Sequence, residues 1–299
     1  MKAGHSGSAG RTALAIGIAC GIGAALCWAA GFVSAIHGLS VGLTPADLTI
    51  HRFLWAGLVL LPLVWRGGLR NLNGIGWGAG VLLAVLGGPG IAFLSYSGFL
   101  LVPLGHGGVI QPSCVVLGGL LLATVWLREK LIAARAAGAL VIIVGLMVIG
   151  GEAVMTIGAH GVVGDLMFVG AGLMFATFGT LLRFWRIVPM TGMAVISVLT
   201  ILLVPLYWAW GGFANMLALG WRENLLQVVV QGVLAGPAAV YFFARSVSLL
   251  GAARATIFPA LVPGFTLLIG WLVLGVAPTS MQLAGLGIVF AGFLLAQRA

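Results

Sequence analysis

The sequence predicts an all-α membrane protein: ten transmembrane helices forming two inverted five-helix repeats around a central cavity, with both termini cytoplasmic. Three observations predict it. The 299-residue chain is 62% hydrophobic and 6% charged, with a mean hydropathy of +1.21, so it has too little polar surface to cover a water-soluble domain. Its basic residues gather on alternate turns between apolar stretches. Its second half also repeats the Gly and Pro punctuation of its first.

Crossing a bilayer takes roughly 20 apolar residues. The first stretch, 14–37, follows Met1, Lys2 and Arg11 as a signal peptide would. The run from Leu14 to Ile36 is too long for a cleaved apolar region, so it reads as an uncleaved span. The second, 46–65, carries Asp47, His51 and Arg52 near its start. The third, 74–101, is interrupted by Gly87, Gly88, Pro89 and Gly90. The fourth, 105–127, holds Pro112, and the fifth, 131–150, holds Gly138 and Gly145. Spans six to ten are read at 162–183, 190–210, 224–248, 253–275 and 279–297. The repeats occupy residues 1–151 and 152–299.

With the N-terminus inside, the cytoplasmic segments collect Lys2, Arg11, Arg66, Arg70, Arg128, Lys130, Arg135, Arg183, Arg186, Arg245, Arg254 and Arg298. The outer segments collect only Arg222, and Arg52 lies within a span. Asp47, Glu152, Asp165 and Glu223 fall at or near the outer side. This is the positive-inside pattern. The net charge of +9 therefore reports orientation. It does not report nucleic acid, because the basic residues never cluster with exposed aromatics.

The repeat gives the break in span three a meaning. Residues 234–251 read LAGPAAVYFFARSVSLLG, and Pro237 and Gly236 match Pro89 and Gly88 at a separation of 148 (89 to 237). Beyond the next turn the separation is 147: Pro112 matches Pro259, Gly138 matches Gly285 and Gly145 matches Gly292. Five spans per repeat is an odd number, so the second copy enters the membrane inverted. Interrupted helices at matching places in inverted repeats point to a transporter's central binding site. Packing kinks are the alternative, since Gly and Pro are frequent in membrane helices.

Several local sequences carry a resemblance: AALCWAAGFVSA in span one, HRFLWAGLVLLPL in span two, WLREKLIAARAAGALVIIVGLMVI closing the first repeat and GVVGDLMFVGAGLMFAT opening the second. In that order and spacing, together with the proline hairpin of spans three and four, the chain resembles the drug/metabolite transporter superfamily, EamA branch. Within it the chain is similar to YddG-type aromatic amino-acid exporters. The resemblance implies a bacterial inner-membrane carrier whose spans three, four, eight and nine, helped by one and six, line a central cavity. The chain departs from the pattern where Val276 stands opposite Glu129 and the second acidic hinge is lost.

Other chemistries lack their residues. Both lysines, Lys2 and Lys130, lie outside any phosphate-loop pattern, and GAGLMF at 170–175 sits in an apolar span without a dinucleotide-binding context. His5, His37, His51, His106 and His160 lack metal-ligand spacing, and Cys20, Cys27 and Cys114 read as small apolar residues. No metal or cofactor is expected. An intramembrane enzyme using His51 or His106 would need a paired carboxylate or nucleophile at depth, and the sequence offers none. Arg52 reads as snorkelling to the outer interface, pairing with Asp165, or serving function. Arg254 could attract a carboxylate at the inner mouth or anchor the helix; Glu129 reads as a solvated turn.

The residues left for a cavity are aromatic or neutral-polar: Trp28, Ser95, Tyr96, Ser97, Gln111, Phe175, Tyr241, Phe242, Ser246 and Phe258. Trp28, Tyr96, Ser97, Gln111, Phe175, Tyr241, Ser246 and Phe258 are the expected substrate contacts. Gly88, Pro89, Pro112, Gly236, Pro237 and Pro259 are the expected breaks and gates. Such a set suits a small amphipathic zwitterion, with rings on its side chain and freed backbone groups on its charges. The expected function is facilitative export of neutral, mainly aromatic or hydrophobic amino acids. The alternative is export of hydrophobic drugs or other small metabolites, with or without proton coupling. The Gly138/Gly145 and Gly285/Gly292 rows serve close packing within the monomer or a weak homodimer.

Overall fold

A computed structural model describes residues 5–102, 104–130, 132–157, 162–250, 255, 258–275 and 277–297. Among them every regular element is helical. Eight helical stretches are long and apolar enough to cross a membrane: Thr12–Ser40, Pro45–Gly67, Trp77–Leu101, His106–Val125, Ala133–Gly150, Val162–Phe184, Pro189–Ala209 and Trp221–Leu250. Two shorter apolar helices, Val262–Leu274 and Ser280–Ala296, stand where spans nine and ten are expected.

In chain order the helices are α1 (His5–Ser40), α2 (Pro45–Gly67), α3 (Trp77–Gly87), α4 (Pro89–Leu101), α5 (Leu104–Val125) and α6 (Ala133–Gly150). After the single turn α7 (Glu152–Met155) come α8 (Val162–Phe184), α9 (Pro189–Thr200), α10 (Val204–Ala209), α11 (Gly212–Ala218) and α12 (Trp221–Gln227). The chain closes with α13 (Ala239–Leu250), α14 (Val262–Leu274) and α15 (Ser280–Gln297).

Local chemistry sets several of these boundaries. Thr44 caps α2: its hydroxyl accepts from the Asp47 amide at 3.2 Å, and the Asp47 carboxylate accepts from the Thr44 amide at 2.8 Å. Pro45 fills the first turn, where no amide partner is needed. The described part of the ninth apolar helix begins at Val262 after a 3₁₀ turn over Phe258–Leu261, and the expected start at 253 lies outside the described residues. Pro259 and Pro263 remove the amides that an α-helix through this stretch would use. The sequence reading also passed over α11, whose seven residues are too few for hydropathy to register.

The main core joins α2, α3, α4, α8 and α9 around Phe53, Leu83, Tyr96, Leu181 and Val195. A second contact ties the two halves together. A Cβ on Gly138 would lie 2.6 Å from the Gly292 carbonyl oxygen, and one on Gly145 would lie 2.9 Å from that of Gly285. Residue numbers rise along α6 as they fall along α15, so these repeat-equivalent helices run antiparallel. Each glycine packs against the counterpart of the other. The glycine rows are therefore occupied within the chain.

Candidate functional site

Both expected breaks are breaks of the backbone. Gly88 ends α3 with φ −113° and ψ −133°, and Pro89 opens α4. Gly236 has φ −96° and ψ −106°, with Pro237 after it, inside a segment that winds as a wide π-helix over Val228–Ala238. Similar non-helical dihedrals thus recur 148 residues apart. A proline cannot donate back along the helix, and a glycine beside it adopts the departure without a side-chain clash. In hydrocarbon a freed backbone group is tolerated only against protein or a wet cavity. Pro112 stays inside α5, and Pro259 lies in the 3₁₀ turn before α14.

Above the second break lies a polar seam. Glu223, Gln227 and Gln231 recur every four residues, one face of a helix. They meet α1 in three rungs. His37 Nε2 lies 3.1 Å from Glu223 Oε2. Ser34 Oγ donates to Gln227 Oε1 at 2.8 Å, and Gln227 Nε2 donates to the Ser34 carbonyl at 3.1 Å. Gln231 Nε2 donates to the Gly31 carbonyl at 2.7 Å. Gln227 and Gln231 are wholly buried. Arg52 joins the deepest rung, its Nη1 donating to Gln231 Oε1 at 3.0 Å. Among the described residues no carboxylate pairs with Arg52, so the expected pairing with Asp165 is not made.

Two histidines sit in different networks. Trp55 Nε1 donates to His51 Nδ1 at 3.1 Å, which leaves Nε2 to donate to Asn224 Oδ1 at 3.2 Å. Trp has no acceptor to offer, so this arrangement holds His51 neutral. His106 is wholly buried, with Nδ1 2.7 Å from Asp165 Oδ1 and Nε2 2.9 Å from Thr156 Oγ1. The sequence left His106 without a carboxylate partner; the fold supplies one from α8. Asp47 accepts from Tyr207 and from Asn215 beside its capping role.

The profile of the EamA-like transporter family matches residues 15–151 and, a second time, 162–297. The chain belongs to that family. A solved structure described as "Crystal structure of protein" is similar at a TM-score of 0.66, with 19% identity, over 96% of this chain and 97% of that one. At that identity the likeness speaks for the fold. No curated protein matches.

Within this EamA-like chain the expected contacts divide. Trp28 is half-buried and tilted against Phe243, centroids 5.6 Å apart. Phe258 is buried against α1 at Gly21. Ser246 is buried with no partner for its hydroxyl among the described residues. Tyr96 is part of the apolar core, while Ser97 and Gln111 are half-buried on α4 and α5. Phe175 and Tyr241 are 45% and 57% exposed, each tilted against a neighbouring ring, Phe178 and Phe242. Two surface grooves, about 480 Å³ beside Pro189 and about 510 Å³ between α14 and α15, are lined by none of these residues. Arg254, His160 and Val276 lie outside the described residues. Glu129 is bonded by Arg183 and Arg135, so it links the α5–α6 turn to the end of α8.

Sequence reasoning missed the seam and the side chains beside the breaks. Phe178 packs on Gly87, and Met193 approaches Gly236. The four-residue spacing of Glu223, Gln227 and Gln231 was the available signal for the seam.

Proposed function

We propose that this chain exports neutral, mainly aromatic or hydrophobic amino acids across a bacterial inner membrane by alternating access, as a facilitative uniporter of the YddG type. The observation that carries the reading is the matched pair of glycine-proline breaks, one in each half. At such breaks freed amides and carbonyls face the charged ends of a zwitterion, and the flanking rings take its side chain. The ten-span reading takes α14 and α15 as the ninth and tenth crossings, with Trp28, Tyr96, Ser97, Gln111, Phe175, Tyr241, Ser246 and Phe258 as candidate contacts.

The test is efflux from liposomes holding purified protein, with a panel of aromatic, branched and small amino acids beside hydrophobic cations and sugars. Downhill efflux of phenylalanine, tryptophan and leucine, saturating and absent from empty liposomes, is the expected result. Efflux of hydrophobic drugs or other metabolites with none of amino acids would overturn the substrate class.

A further inference from the structure

Arg52 is a cation placed inside a membrane-spanning helix, and the fold does not require it there. It follows Pro45 by seven residues, which puts it ~10 Å along α2 at 1.5 Å per residue, well inside a hydrocarbon layer of about 30 Å. The two carboxylates of this region are committed elsewhere: Asp47 to the α2 cap, Tyr207 and Asn215, and Glu223 to His37 and Gln227. The guanidinium gives one N–H to Gln231 and no other to a described side chain or backbone group, and Arg52 is only partly buried. An intramembrane charge without a counter-ion is costly and is kept for function.

The other half of the molecule supplies the comparison. Leu61-Pro62-Leu63-Val64-Trp65 recurs as Val204-Pro205-Leu206-Tyr207-Trp208, 143 residues on (62 to 205), so the counterpart of Arg52 is Val195. The counterpart of Gln231, 148 residues earlier, is Leu83. Val195 and Leu83 are both wholly buried in the apolar core. The same architecture is thus packed with an aliphatic pair on one side and an Arg–Gln pair on the other.

The polar pair is also built. Gln231 is locked by its bond to the Gly31 carbonyl, which turns its Oε1 toward Arg52. Gly31 lets α1 come this close: a Cβ there would stand 2.5 Å from Ala235 Cβ. Gly236 follows Gln231 by five residues, so the guanidinium is held within about two turns of the second break.

We propose that Arg52, oriented by Gln231, receives the carboxylate of the transported molecule. This rests on the reading of the chain as an amino-acid carrier and narrows it: the carboxylate is a required feature of the ligand, bound by charge-assisted N–H donors. The experiment is binding and liposome efflux of phenylalanine, 3-phenylpropionate, phenylalaninamide and 2-phenylethylamine, in neutral lipid, with wild type, Arg52→Lys and Arg52→Gln.

Wild type is expected to prefer the two carboxylates over the amide and the amine by roughly 10- to 150-fold, the range of one hydrogen bond to a charge. Arg52→Gln removes that preference and Arg52→Lys keeps part of it. The wild-type ligand series stands even if a variant fails to fold. Equal affinity for acid and amide in wild type, or efflux of phenylalanine unchanged in Arg52→Gln, overturns this inference and leaves amino-acid transport standing. Arg52-dependent binding of 3-phenylpropionate without phenylalanine transport overturns the amino-acid reading instead. An Arg52 effect seen only when anionic lipid is added makes the ligand a lipid headgroup and overturns the inference.

Discussion

Gly88 and Gly236 occupy equivalent breaks. A Cβ on Gly88 would stand 2.5 Å from the Ala84 carbonyl oxygen, which belongs to backbone and cannot step aside. We therefore expect Gly88→Ala to lower stability by about 1–3 kcal/mol, the cost of overpacking. Thermal unfolding of the purified variant beside wild type in one detergent checks this, and an unchanged midpoint would refute it. The rings divide by burial. Tyr96 is buried in the core, so Tyr96→Ala is expected to cost ~3 kcal/mol of stability. Half-buried Trp28 touches Phe243, and Trp28→Ala is expected to weaken transport of large amino acids more than of small ones, read as a change in the phenylalanine-to-alanine efflux ratio. The glycine-proline breaks were legible because Gly and Pro dictate backbone locally. The Arg52–Gln231 bond was not, since its partners stand far apart in the chain and only the fold brings them together.

At the level of whole helices, hydropathy located the long apolar stretches, because a bilayer sets one length for all of them. It could not see α11, whose seven residues are too few for it to register. The hairpin breaks and the α6–α15 crossing make separate demands on the helices. Pro89→Ala and Pro237→Ala restore an amide donor at each break and favour closure of the helix across it. We expect both variants to be well folded, with efflux reduced severalfold at equal protein level. Wild-type flux in both would sink the gating role. Gly145→Leu instead places bulk where Gly285 backbone lies 2.9 Å from a first Cβ. Its expected result is loss of a monodisperse peak in size-exclusion chromatography, since the halves meet along this seam and the nearest atom there, the Val289 amide nitrogen at 2.6 Å, is backbone.

Across the molecule, the two halves share a backbone plan but not a chemistry. One side of the pseudo-symmetric pair is filled by Leu83 and Val195; the other carries Arg52, Gln231 and a polar ladder running up to His37 and Glu223. An asymmetry of this kind can orient a bound molecule, but it does not by itself supply a driving force. Proton coupling needs a group whose protonation alternates with substrate binding. His51 is ill suited, because protonating its Nδ1 would break the Trp55 bond and leave a donor facing a donor. His106 is better suited. Asp165 accepts a hydrogen bond from its Nδ1–H, while the Thr156 hydroxyl can donate to Nε2 or accept from it. Yet His106 and Asp165 lie in the first turns of α5 and α8, away from both breaks. We therefore expect flux down the substrate gradient alone: in liposomes loaded with phenylalanine, an imposed pH gradient changes the rate less than twofold and an uncoupler changes nothing. Uphill accumulation that follows the gradient, collapses with the uncoupler and disappears in His106→Gln while downhill flux survives would establish coupling through the His106–Asp165 pair, and with it a mechanism other than uniport.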